Sequence, residues 1–571
     1  METEALTVVD EKRPSTYSLS ATVAALNKAL VRLQLVPISI PGSQKSVSPA
    51  VWFKENSPKN LRTRDFLAPS GILQNLFSNG QVPEDIKEEV KTLKSQGVLP
   101  FQKCVQTEAG LQVQVERPRV FSDVLSNVHL YTKATDTMLR SDYKVILNCV
   151  PLHGCRNLED LSLSHLRAIL VTSHIYEVFQ KQGLNVLLTP AVISEEVKNI
   201  LQQLRVNWPS RLCVSSSCDH VSFKQVLEEY ISSEATSLDD IVQDNSSLPE
   251  NVLHKVHLKS FIEKKKLEGY DPNLNIFLVQ EENLKHLTEL HQTVYECCSE
   301  NPRKCTVIHI VCCEEEFKQQ KMDILWRILD PLAQTVTQKH LVCGSVKATG
   351  SDPHIGGVQF IQVRKAQMKK ASVMKYGHIV QGDSWDNIIS TMTLATIKFE
   401  MLSTAHRSLL TLDLTEDASV STKGTKSGAF VMYNCARLAT LFESYNKSVE
   451  QGLYPKFPVT EALNYSSLRE EGEWLLLFNY IIPFPDVLGQ LERSLRDASG
   501  IRLTANIEVV CKHLISLSMD FSSYYNRIHI LGEPLPHLFS QMFARLQLMK
   551  AVRNVFHTAL ETLQIPPLNQ I

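Results

Sequence analysis

Between residues 126 and 400, short apolar runs alternate with long amphipathic stretches, and from residue 429 onward only helix-period patterning remains. This switch constrains the fold more than any other feature of the chain. Strands separated by long helices build a parallel α/β sheet, whereas helical runs alone build a bundle. In the alternating segment, Tyr143–Cys149 (YKVILNC), Asn185–Leu188, Cys305–Cys313 (CTVIHIVCC) and His340–Cys343 read as strands. Leu161–Gln180 and Glu314–Leu329 read as helices, the first closed by Gly183 as a C-terminal cap. In the helical segment the periodicity predicts Phe430–Gly452, Glu470–Tyr480, Phe484–Ala498, Ala505–Arg527 and Pro536–Leu563.

The length of 571 residues accommodates several domains. The expected division is an N-terminal domain over 1–125, an α/β domain over 126–412, a polar linker over 413–428 (DLTEDASVSTKGTKSG) and a helical domain over 429–571. In the first domain, Ala21–Gln34 has helix spacing, Pro37–Ser57 is turn-rich, Pro83–Leu99 reads as helix and Gly110–Val120 as strand. The stretch near 209–272, acidic over Ser237–Glu250, reads as an insertion or loop.

Several function classes drop out on composition. Lys and Arg total 59 against 61 Asp and Glu, so a uniformly basic nucleic-acid coat is excluded and only a local basic site remains open. The best apolar run, Trp474–Phe484, contains Asn479 and Pro483 and is far short of the ~20 residues that a membrane span needs. Met1–Arg13 is acidic and lacks the apolar core of a signal peptide. The 13 cysteines include no CxxC pair, which suits reduced thiols in a cytosolic or nuclear compartment. Cys149, His153 and Cys155, and likewise Cys213, Cys218 and His220, lack the spacing of a strong zinc site, so structural thiols are expected and no metal is assigned. His354–Gly357 (HIGG) lies in loop-like sequence and is not read as a nucleotide motif. With no Walker A loop, GxGxxG or GxSxG, no cofactor and no catalytic residue are assigned.

Three stretches of the C-terminal segment carry a family resemblance: Phe430–Leu438 (FVMYNCARL), Phe521–Asn526 (FSSYYN) and Arg545–Leu563 (RLQLMKAVRNVFHTALETL). In order and spacing they resemble the DALR anticodon-binding domain of arginyl-tRNA synthetases. Upstream, Ser162–Ala168 (SLSHLRA) is similar to that family's H-I-G-H-L-R-S helix start, with Ser162 and Ser164 in place of the first His and the Gly, and His165 in place of the second His. The stretch Ser345–Gly350 (SVKATG) is similar to the basic KMSKS-type loop but keeps one lysine. The resemblance implies a degenerate class I synthetase-like body followed by a helical DALR domain. In the family, the motif histidines and loop lysines stabilise charge on ATP, and losing such groups costs several kcal/mol each. A non-enzyme is therefore expected.

The resemblance further implies an adaptor that binds arginine tRNAs at the anticodon arm and presents them to a tRNA 3-methylcytosine methyltransferase in the cytoplasm. The rivals are an active arginyl-tRNA synthetase and a protein-only scaffold that has lost RNA binding. The candidate RNA-binding residues are Tyr433, Arg437, Tyr524, Tyr525, Asn526, Arg545, Lys369 and Lys370. Tyr433 and Arg437 sit four apart and share a helix face, suited either to base stacking with a phosphate contact or to core packing with a snorkelled Arg. Of Tyr524 and Tyr525, one is expected exposed and one buried. The basic segment Lys339, Lys347, Arg364, Lys365, Lys369, Lys370 and Lys375 suits phosphates or a solvated helix face. Residues 426–571 hold 13 basic against 13 acidic residues, so any RNA surface there must come from segregation of charge.

Overall fold

The computed structural model describes residues 16–31, 51–77, 79–133, 143–155, 157, 159, 161–209, 223–235, 251–298, 301–350, 355–377, 381–415 and 427–570. Met1–Arg13, most of Pro37–Ser57, the Cys213, Cys218 and His220 set, Ser237–Glu250, His354, and 416–426 of the expected linker lie outside these residues.

The N-terminal part is a four-stranded antiparallel sheet of β1 (Phe53–Lys54), β2 (Phe66–Pro69), β3 (Phe101–Thr107) and β4 (Gly110–Val115), in the order β1-β2-β4-β3. Leu111, Val113 and Val115 on β4 alternate into the core, as their spacing predicts. Gly110 opens this strand at φ +132°, and a Cβ there would meet the carbonyl oxygen of Ala68 at 2.0 Å, so the turn requires glycine. Two expectations need correction here. The Pro83–Leu99 helix covers only Glu84–Lys91, followed by a turn in which Gly97 has φ +79°. The strand stops at Val115 because Pro118 begins the helix Arg117–Ser126.

The second part is a parallel sheet of β5 (Lys144–Cys149), β6 (Asn185–Thr189), β9 (Cys305–Cys312) and β10 (Thr337–Cys343), in the order β10-β9-β5-β6. The helix Leu163–Lys181 crosses over between β5 and β6. All eight residues of β9 are buried, as befits a central parallel strand covered on both faces. Val145 and Leu147 join one apolar core and Ile146 the other, so alternate residues of β5 serve opposite faces. The stretch near 209–272 is not simply a loop. It holds helices Phe223–Ala235 and Leu258–Lys265 and the strand β7 (His254–His257), which pairs antiparallel with β8 (Ile276–Val279). Beyond the sheet, β11 (Val346–Thr349) pairs parallel with β12 (Leu410–Asp413), flanking the helices Gly357–Tyr376 and Asp383–Leu402.

The C-terminal part is helical: Gly428–Glu450, Glu471–Leu476, Val509–Arg527 and Phe539–Thr562 with shorter pieces. Glu471–Leu476 widens into a π-turn over Leu477–Ile481, and the expected helix Phe484–Ala498 divides at Gly489 into Phe484–Leu488 and Gln490–Asp497. Trp474, Leu476 and Phe478 are buried, so the apolar run Trp474–Phe484 is core. Among the described residues, no helix is long and apolar enough to cross a membrane.

One apolar core passes through all three parts, from Phe66 and Phe121 through Leu166 and Ile310 to Leu438 and Phe556. A polar joint ties the first part to the last. The buried carboxylate of Asp65 accepts hydrogen bonds from Trp474 Nε1 (2.7 Å) and Arg117 Nη2 (2.9 Å). The indole of Trp474 meets Phe121 edge-on at 5.6 Å.

Candidate nucleic-acid interface

The helix Gly428–Glu450 starts at Ser427, whose hydroxyl caps it by accepting from the Phe430 N–H at 3.3 Å. Its buried stripe includes Val431, Cys435 and Leu438, which leaves Tyr433 and Arg437 on the outer face, and Tyr433 is 37% exposed. Arg437 is held from the neighbouring helix Val509–Arg527. Its guanidinium donates to Asn526 Oδ1 (2.6 Å) and Ser522 Oγ (3.0 Å) and lies 4.4 Å from the Tyr525 ring centre and 5.5 Å from that of Tyr433. Tyr525 is half-buried, and burial raises its phenol pKa further above neutrality, so it remains a donor. The result is an aromatic–guanidinium–amide surface: two ring faces, one fixed cation and one exposed amide. Such groups stack on and hydrogen-bond to unpaired bases.

A third element completes the patch. Lys375, at the end of the helix Gly357–Tyr376, places Nζ 5.1 Å from the Tyr433 ring centre and 4.8 Å from that of Tyr376. Lys365, Lys369 and Lys370 are exposed on the same helix. Lys369 lies six residues before Lys375, about 9 Å along the axis. Lys375 thus links the stacking residues of the helical domain to the helix Gly357–Tyr376 of the α/β body.

Four other residues of the sequence reading fall elsewhere. Tyr524 is 1% exposed and donates its hydroxyl to Glu473 Oε1 at 3.2 Å. Arg545 donates to the same oxygen at 2.8 Å, and the Glu473 side chain is fully buried. Tyr524 and Arg545 therefore form an internal cluster and leave the candidate RNA contacts, because reaching a base would require opening the bundle. Arg364 is also committed internally, to Glu400 at 2.9 Å and the Asp413 carbonyl at 3.0 Å. Lys339 is buried and donates to the carbonyls of Ala498 (2.9 Å) and Gly500 (2.5 Å).

The motif-bearing crevice lies between the carboxyl ends of β5 and β9, where the strand order reverses and open α/β sheets ordinarily bind ligands. Ser162 caps the helix Leu163–Lys181 by accepting from the His165 N–H at 3.1 Å. Ser164 Oγ accepts from the Val346 N–H at 3.0 Å and so fastens β11 to this helix. The Ser345–Gly350 stretch is accordingly a paired strand rather than a basic loop, and its Lys347 is exposed. Sequence reasoning passed over Arg167. Its fully buried guanidinium contacts five carbonyls, those of Ser408 (2.7 Å), Ala405 (2.9 Å), Gly344 (3.1 Å), Met401 (3.3 Å) and Thr404 (3.3 Å). Beside the crevice a cavity of about 1470 Å³ is lined by His153, Pro190, Ile193, Lys285, His286 and Glu289. Burial, with His153 at a ring distance of 4.7 Å, pushes His286 down to about 4. Glu281, Glu282 and Glu289 outnumber Lys224 and Lys285 in this lining, which is poor complementarity for a triphosphate.

Comparison with known proteins agrees with this geometry. Residues 17–131 match the DALR N-terminal domain and residues 431–571 the DALR anticodon binding domain. The backbone is similar to that of the Thermus thermophilus arginyl-tRNA synthetase, with a TM-score of 0.60 over 97% of this chain and all of that one, at 14% identity. That likeness gives the fold: a parallel α/β sheet with a C-terminal helical DALR domain. The chain is 46% identical over 534 residues, 91% of this chain and 96% of the relative, to the mouse DALR anticodon-binding domain-containing protein 3. It is 42% identical over 580 residues to the zebrafish (Danio rerio) protein of the same name, covering 99% of this chain and all of the relative. A synthetase-like frame with its motif positions turned to structural use, ending in an anticodon-binding bundle, thus belongs to a chain of the DALR anticodon-binding domain-containing protein 3 family.

Proposed function

We propose that this chain is a non-catalytic tRNA-binding adaptor. It recognises arginine tRNAs by the anticodon arm and presents them, in the cytoplasm, to a tRNA 3-methylcytosine methyltransferase that supplies the methyl donor. The observation that carries the RNA-binding part is the surface of Tyr433, Arg437, Tyr525 and Asn526 flanked by Lys375. Ring faces and an amide read unpaired loop bases, while Lys369 and Lys370 supply phosphate contacts without sequence information. This division explains how a bundle of balanced charge can still select an RNA.

Electrophoretic shifts of arginine tRNAs against other tRNAs test the first half. Equal or absent binding would favour the scaffold reading. For the second half, the purified chain is added to a tRNA 3-methylcytosine methyltransferase with an arginine tRNA, and methylation is expected to rise. A rate unchanged by the chain would sink the adaptor role. Arginine-dependent ATP–pyrophosphate exchange separates the synthetase reading. None is expected, because Ser162 and Ser164 are engaged as a helix cap and a strand anchor.

A further inference from the structure

We propose that His165, Cys312 and Glu315 form a zinc-binding site at the switch point of the parallel sheet. One donor atom from each, an imidazole nitrogen, a thiol sulfur and a carboxylate oxygen, lies within 4.8 Å of the other two. Zinc takes these three donor types at about 2.0–2.3 Å, which puts tetrahedral ligands roughly 3.3–3.8 Å apart. Small side-chain rotations close the difference, and His165 and Glu315 are only half-buried.

The three residues come from different elements. His165 lies in the first turn of the helix Leu163–Lys181, Cys312 is the last residue of β9, and Glu315 ends the short turn Cys313–Glu315. A metal here would clip the crossover helix to the central strand. A further observation points to a cation: Glu315 Oε2 is buried and has no hydrogen-bond partner among the described residues, and an unmatched buried acceptor is costly. Cys312 is 1% exposed. The Zn–S bond forms as the thiol proton leaves to solvent. One thiolate and one carboxylate then neutralise the ion's two charges. Three protein ligands leave a fourth position for water or another donor.

The test uses the full chain, stripped with a chelator, incubated with zinc chloride and desalted. About one zinc per chain is expected for the wild type, with at least tenfold weaker retention in Cys312→Ser, His165→Asn and Glu315→Gln. Cobalt substitution adds a spectroscopic readout: a thiolate-to-cobalt charge-transfer band in the wild type that Cys312→Ser lacks. The His165 and Glu315 variants alter partly exposed side chains, so they decide the matter even if Cys312→Ser does not fold. Zinc retention equal in wild type and these two variants, or a cobalt spectrum without the thiolate band, would overturn the site.

Discussion

Tyr524 and Tyr525 are adjacent, yet they face opposite environments. A helix turns about 100° per residue, so neighbours cannot share one face. Tyr525 packs beside Arg437 at the surface, and Tyr524 points inward to Glu473. Their truncations should therefore differ in kind. Tyr433→Ala and Tyr525→Ala should each cost ~1–3 kcal/mol of arginine-tRNA affinity if a base stacks there, with most of the fold's stability retained. Tyr524→Ala should open a cavity costing about 3–5 kcal/mol and lower the thermal midpoint. Binding and melting curves measured side by side decide this. A Tyr433→Ala variant that melts normally and still prefers arginine tRNAs would remove the stacking role.

At the level of elements, the crossover helix Leu163–Lys181 and the helix Gly357–Tyr376 do different work. The first is anchored through Arg167, whose guanidinium collects carbonyls from Met401–Ser408 and Gly344. Replacing it with Met keeps volume but leaves buried carbonyls without donors. Such losses cost ~1–3 kcal/mol per group in full, so Arg167→Met should destabilise the chain by several kcal/mol. Chemical denaturation measures this, and a midpoint within error of wild type would show that water replaces the guanidinium. The second helix keeps Arg364 inside and its lysines outside. Lys369→Glu with Lys370→Glu should weaken binding to all tRNAs alike. Each lost phosphate contact should lower the log–log salt slope by ~0.9 on duplex RNA-like segments. An unchanged slope would mean that these lysines are only a solvated face.

For the whole molecule, the buried histidines set a pH signature. His174 is 2% exposed, donates through Nδ1 to the Thr562 carbonyl at 2.9 Å, and is pushed down to about 4 by burial. Its unfolded value is near 6.5, so between about 4 and 6.5 the unfolded chain binds the extra proton. The stabilisation is full above pH 6.5 and is lost as pH falls toward 4. From pH 7 to 5 this amounts to about 2 kcal/mol. Buried carboxylates such as Asp65 and Glu473, which burial raises, act in the opposite sense. Comparison of the wild type with His174→Gln cancels them. The stability gap between the two chains should shift by that amount in favour of the variant on acidification, as read by denaturant titration at both pH values. A gap independent of pH would show that His174 binds its proton equally well in the folded and the unfolded chain.

Periodicity made the architecture legible before any coordinates. Runs such as YKVILNC and CTVIHIVCC are short and rich in β-branched residues and so read as buried strands, and the helix-period stripes after 429 read as a bundle. The motif Phe430–Leu438 likewise placed Tyr433 and Arg437 on one helix face. Their partners were not legible. A pattern reports which face of an element is buried, because that is set by neighbours three or four residues away. It does not report which distant group compensates a buried charge. Arg167 with Met401–Ser408, Asp65 with Trp474, and Arg545 with Glu473 are such pairings, and each was decided by how whole elements dock. The same holds for Lys375 over Tyr433. The sequence by itself determined the elements and their inward faces, and the tertiary structure decided which charges are spent inside and which are left to face a ligand, since desolvation of an ion can be offset only by donors and acceptors brought together in space.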